Sequence, residues 1–132
     1  MSERPALVSP EEAARLVGER GFALLDVRSE PEFAEARARS AVNVPWKRAA
    51  PSGLVQNTYF IDEVRARFAP EAGLVVYCRA DGRSRPAAAA LVAAGFADVV
   101  VLESGFDGLR DHFGRVVRPG WLAAGLPVER DA

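Results

Sequence analysis

This chain of 132 residues contains one cysteine, one histidine and one methionine. One cysteine excludes any intrachain disulfide framework, and a lone histidine beside it leaves no cysteine/histidine set with metal-ligand spacing. Neither a metal nor another cofactor is expected, and nothing in the motifs suggests a nucleotide or flavin. An excess of one charge sign is missing too: Lys and Arg number 17 against 18 Asp and Glu, for a net charge of −1. The chain therefore has no global basic footprint for nucleic acid. No apolar run approaches the length of a membrane span, and Met1 to Pro5 lacks the apolar core of a signal peptide. A cytoplasmic location is the expectation, with neither nucleic acid nor membrane as partner. Lys47 is the only lysine; this says nothing about partners.

What is present is apolar and punctuated. Hydrophobic residues make up 49% of the chain, enough at this length for one core and too little for two ordinary domains, so one domain over residues 1–132 is expected. Ser9-Pro10-Glu11-Glu12 has the pattern of a capping box with proline at the first helical position, which predicts a helix from Pro10 to Arg20 ended by Gly21. Phe22 to Leu25 then reads as a strand covered on both faces. Ser29 to Glu32 repeats the capping pattern and opens a short helix through Ala36. Val42 to Val44 is the next strand, Trp46 to Asn57 a surface loop, and Thr58 to Phe68 a helix with Ile61, Val64 and Phe68 on one face. Leu74 to Tyr77 and Asp98 to Leu102 are further strands, separated by a helix from Ser84 to Ala94. Strands alternating with helices imply an α/β fold with a central parallel sheet and helices on both faces, because each crossover helix must pack back on the sheet.

The single cysteine, Cys78, sits where Leu74-Val75-Val76-Tyr77 gives way to Arg79-Ala80-Asp81-Gly82-Arg83-Ser84. It ends a strand and faces the start of a helix, and ligand sites of open α/β sheets gather beyond the carboxyl ends of the strands. Loop N–H groups, the first helical turn and two arginines all favour a sulfur anion at that point. The alternative is a small buried core residue, which free cysteines commonly are. Two arginines, an aspartate and a glycine in the next six residues favour the reactive role.

Tyr77 to Ser84 resembles the active-site loop of rhodanese-like domains: cysteine, two variable residues, glycine, one variable residue, arginine and serine. Leu24-Leu25-Asp26-Val27-Arg28-Ser29-Glu30-Pro31-Glu32-Phe33, Ala41 to Pro45, Gly95 to Leu102 and Gly125 to Val128 are similar to further segments of that family, in the same order. The resemblance spans about Val8 to Val128. It implies a rhodanese-like sheet and a thiosulfate sulfurtransferase, in which Cys78 takes sulfur from a small anionic donor as a persulfide. A thiol or a protein cysteine would then accept it. It also implies that Arg79, Ala80, Asp81, Gly82, Arg83 and Ser84 form the cradle for donor and persulfide, and that Asp26 and Arg28 support that loop without reacting.

Three positions depart from the family pattern. Asp81 stands where glycine is expected, with glycine displaced to Gly82; Ala36-Arg37-Ala38 replaces a glycine-histidine-isoleucine stretch; and Leu109 replaces a tryptophan. Asp81 places a negative charge in an anion-accepting loop, which keeps open a second reading as a binding or sensing module with little turnover. For Arg28 a surface pair with Glu30 or Glu32 is the alternative, and for Arg79 and Arg83 it is solvated loop arginines. His112, Trp46 and Trp121 read as surface, packing or rim residues. A cysteine phosphatase of related architecture needs an arginine at the position of Ser84, whereas Arg83 comes one residue too early and Arg85 one too late.

Overall fold

Ser9 Oγ accepts the Glu12 backbone N–H at 3.1 Å, and helix α1 (Pro10–Arg20) begins there in the computed structural model, which describes residues 5–131. Gly21 ends it at φ +69°, a backbone conformation that costs a residue with a Cβ about 1 kcal/mol. Strand β2 (Ala23–Asp26) follows, then α2 (Glu30–Glu35), whose capping residue Glu32 accepts both the Ser29 N–H and the Ser29 hydroxyl. β7 (Gly73–Tyr77), α4 (Ser84–Ala93) and β8 (Asp98–Leu102) lie within a residue of the ranges expected from the sequence.

With β1 (Ala6–Val8) and β4 (Val42–Asn43), these strands form one five-stranded parallel sheet in the order β1-β8-β7-β2-β4. Parallel strands buried on both faces need apolar residues at every position, and β7 supplies them: Leu74 and Val76 point to one face, Val75 and Tyr77 to the other. On the first face lie α4, through Ala87, Ala88 and Leu91, and α3 (Phe60–Arg65), through Phe60 and Val64. On the second lies α1, through Ala13, together with Phe22, Phe106 and Trp121. Full burial of a side chain such as Leu91 contributes about 1.5–3 kcal/mol. The α/β architecture with helices on both faces is as expected.

The segment after Pro45 is not a loop. Lys47–Ala50 (β5) and Gly53–Gln56 (β6) pair antiparallel as a hairpin around Pro51-Ser52, and α3 is shorter than the expected Thr58–Phe68 helix. The hairpin is exposed along β6, so no buried face imposes the alternating pattern by which a strand is recognised. Five two- or three-residue strands escaped for another reason: β1 pairs with β8, β3 (Arg37–Ala38) with β11 (Val128–Glu129), and β9 (Leu109–Arg110) with β10 (Val116–Arg118). Such short pieces carry no period of their own. The ends of the expected 1–132 domain, residues 1–4 and 132, lie outside the described residues.

Candidate active site

Cys78 follows the last residue of β7, the middle strand of the sheet, so its sulfur stands at the carboxyl edge between β2 and β8. Arg79 to Arg83 form a short loop, and α4 starts at Ser84. That geometry brings the Ser84 backbone N–H to 3.3 Å from Cys78 Sγ, with the Ser84 hydroxyl also 3.3 Å from Sγ. The hydroxyl donates to the Asp81 carbonyl at 3.4 Å. It can therefore accept from a neutral thiol, or turn and donate to a sulfur anion. Among the described residues, none of the N–H groups from Arg79 to Arg83 donates to a protein oxygen.

Cys78 is only 1% exposed and packs among Val27, Ala87 and Ala88. That burial is what the alternative of a small core residue expects. The loop and the first turn of α4 close over the sulfur, so a core position and a helix N-terminus coincide in one residue.

Asp26 and Arg28 lie beyond the end of β2 as a buried pair, with Asp26 0% and Arg28 4% exposed. Arg28 Nη2 donates to Asp26 Oδ2 at 2.7 Å and to the Ala36 carbonyl at 2.7 Å, and the Arg28 N–H donates to Asp26 Oδ1 at 2.9 Å. The guanidinium lies 4.6 Å from the Phe106 ring centroid and 5.6 Å from that of Tyr77. Burial opposes its charge, but Asp26 outweighs burial and raises the Arg28 pKa. The alternative surface pair with Glu30 or Glu32 does not form.

Glu32 is instead the partner of Arg83, which donates to it from Nη1 at 2.7 Å and Nη2 at 3.1 Å. Burial disfavours the Glu32 carboxylate, yet the Arg83 and Ser29 hydrogen bonds override this and hold its pKa at about 2. Arg79 pairs with Asp107 at 2.9 Å, and Asp81 pairs with Arg85 at 3.3 Å. Hence the four arginines around the cysteine each meet one carboxylate. The negative charge of Asp81, expected to oppose an anion in the loop, is shared with a cation that the loop pattern alone does not connect to it.

Two further segments shape the loop and were not singled out from the sequence. Beyond β8, the Phe106 N–H donates to the Cys78 carbonyl at 2.9 Å and the Asp107 N–H to the Arg79 carbonyl at 2.8 Å. Gly105 sits beside them at φ +61°, where a Cβ would come within 2.5 Å of the Cys78 and Ala80 carbonyl oxygens. The two glycines of Ser104-Gly105-Phe106-Asp107-Gly108, just past a strand end, were the available signal. The second segment is α2, whose Glu32 was read as a cap or a surface partner of Arg28 and not as the partner of Arg83. A pocket of about 280 Å³ opens beside the loop, walled by Arg28, Glu32, Glu35, Arg79, Phe106 and Arg130.

His112 is exposed beside Phe113, Trp46 packs edge-on against Phe60, and Trp121 is buried with its indole N–H on the Pro127 carbonyl. Among the described residues no three His, Cys, Asp or Glu side chains form a metal-binding group, and no helix is long and apolar enough to cross a membrane.

Comparison with known proteins places this geometry in a recognisable setting. Residues 9–112 match the family described as Rhodanese-like domain. The chain is 31% identical over 109 residues to thiosulfate sulfurtransferase 16, chloroplastic, of Arabidopsis thaliana, covering 83% of this chain and 81% of that protein. It is 32% identical over 98 residues to thiosulfate sulfurtransferase GlpE of Pseudomonas fluorescens, covering 74% and 79% respectively. The crystal structure of Rv0390 from M. tuberculosis superposes with a TM-score of 0.81 at 28% identity, over 97% of this chain and 99% of that one. Two other plant relatives are longer, and the chain spans 53% and 59% of their length.

Proposed function

The chain belongs to the rhodanese-like family, and from that membership we propose that it is a sulfurtransferase working as one domain, with Cys78 as its sulfur carrier. The Cys78 thiolate attacks the outer sulfur of thiosulfate or a similar donor. As the new S–S bond forms, the donor's own S–S bond breaks and sulfite leaves with the electron pair, so that Cys78 holds a persulfide anion. A thiol or a protein cysteine then attacks the outer persulfide sulfur and releases the Cys78 thiolate.

One observation carries this reading: Cys78 Sγ receives the Ser84 N–H at the start of α4. The adjacent N–H groups of the loop have no protein acceptor among the described residues. Converging N–H dipoles at a helix start suit an anionic persulfide and cost no reorganisation when it forms. Ser84 and the loop from Arg79 to Arg83 are the proposed cradle, and Asp26 with Arg28 its support. The proposed setting is a reducing compartment such as the cytoplasm, where a lone thiol persists; the word chloroplastic in the Arabidopsis relative's name belongs to that protein.

A second reading, a binding or sensing module with little turnover, draws on the buried sulfur and the paired arginines. Intact-mass spectrometry separates the two. Thiosulfate should add one sulfur atom per chain, removable by cyanide and absent in Cys78→Ser. An unmodified mass across the donor range would favour the module.

A further inference from the structure

The loop that should attract an anionic donor has its cations already matched. Arg79–Asp107 and Arg85–Asp81 are open to solvent, with the arginine side chains 68% and 51% exposed, and such pairs are weak and exchange readily. Arg28 is locked against Asp26. Arg83 precedes Ser84 in the cysteine loop and matches the family arginine. Its guanidinium is held bidentately by Glu32, with only 15% and 30% of the two side chains exposed. Glu32 itself is fixed by the Ser29 hydroxyl and N–H, so it cannot swing away without uncapping α2. It also lines the pocket beside the loop.

We propose that Glu32 is a specificity-determining residue, which neutralises Arg83 and so selects sulfane-sulfur donors of low charge, the persulfides of small thiols, over dianionic thiosulfate. This rests on the sulfurtransferase reading above. Glu32 touches neither donor nor sulfur; it acts through Arg83. A carboxylate close to the reaction site opposes a donor in proportion to the donor's charge, so its removal favours donors in that same proportion.

The test compares three donors on wild type and Glu32→Gln: thiosulfate at charge −2, the persulfide of 2-mercaptoethanol at −1, and the persulfide of cysteamine with no net charge. Sulfur loading of Cys78 is followed by intact mass under single-turnover conditions as donor concentration varies. Glutamine keeps a capping-box acceptor for Ser29, so the fold is retained. Loading efficiency should rise about tenfold for thiosulfate, about threefold for the monoanion and hardly at all for the neutral donor, through half-saturating concentration and not maximal rate. The double variant Glu32→Gln/Arg83→Gln should lose that charge-graded gain, because the freed cation is its source. Equal gains for all three donors, or none, would overturn the role of Glu32 while leaving sulfur transfer intact. If no donor loads Cys78 in wild type or variant, the sulfurtransferase reading falls and takes the proposal with it.

Discussion

Replacing Arg28 by methionine should be among the most damaging single changes in this chain, although Arg28 lies outside the cysteine loop. The substitution keeps a long unbranched side chain but leaves the Asp26 carboxylate, fully buried, without its cation. Removing one member of a buried ion pair costs about 3–5 kcal/mol, because the remaining charge stays desolvated. Loss of the guanidinium from the face of Phe106, 4.6 Å from the ring centroid, adds about 1 kcal/mol. Set against a total stability of about 5–15 kcal/mol, that is a large fraction of the fold.

The double variant Asp26→Asn/Arg28→Met distinguishes charge from packing. The amide oxygen of the introduced asparagine would still accept the N–H of residue 28, which now reaches Asp26 Oδ1 at 2.9 Å, and no buried charge would remain. Urea denaturation should then recover about 2–3 kcal/mol relative to the sum of the single changes, the coupling expected of two groups in direct contact. Sulfur loading should fall in Arg28→Met even at urea concentrations where most chains are folded, since Phe106 also holds the Cys78 carbonyl. A cost below about 1 kcal/mol for Arg28→Met, additive with Asp26→Asn, would show that the pair does not support the loop and would refute this account.

Gly105→Ala should be destabilising by about 2–4 kcal/mol, from the positive φ together with a Cβ that meets two loop carbonyls at 2.5 Å; denaturant melts measure it, and wild-type stability with unchanged sulfur loading would contradict the close approach. The Glu32 carboxyl, held at about 2 against its ordinary 4.5, contributes stability that is complete above pH 4.5 and lost as pH falls toward 2. The full shift corresponds to about 3 kcal/mol, and partial solvent exposure reduces this to about 1–2 kcal/mol. Thermal melts across that range should therefore fall more steeply in wild type than in Glu32→Gln, and parallel curves would argue against the Arg83 pair.

Local signals carried most of the fold into the sequence. Ser9 and Ser29 announce helices because a cap is a contact over three residues, and Leu74 to Tyr77 announces a central strand because burial on both faces demands an unbroken apolar run. Cys78 with Ser84 was legible for the same reason: strand, loop and helix follow directly along the chain. What stayed hidden depends on partners distant in sequence. β3 and β11 exist only as a pair across the chain, and the β5–β6 hairpin has no buried face to pattern it.

The charge of the site was hidden in the same way, and it changes the chemistry most. Counted along the loop, Arg79 and Arg83 outnumber Asp81 and suggest a basic cradle. Counted in space they do not, because Arg79 meets Asp107 from 28 residues away and Arg83 meets Glu32 from 51 residues away, while Arg85 claims Asp81. What the structure brings against the sulfur is the Ser84 N–H and the Ser84 hydroxyl. Dipoles of this kind act over a shorter range than a formal charge, so they stabilise an anion held in contact more than they draw one in from solution. A cradle built from them suits a bound persulfide and leaves the choice of donor to the charged side chains around it. Among the four pairs, Arg83–Glu32 joins the cysteine loop to a glutamate that Ser29 also holds, which makes a helix-capping glutamate outside that loop the residue on which the proposed donor choice turns.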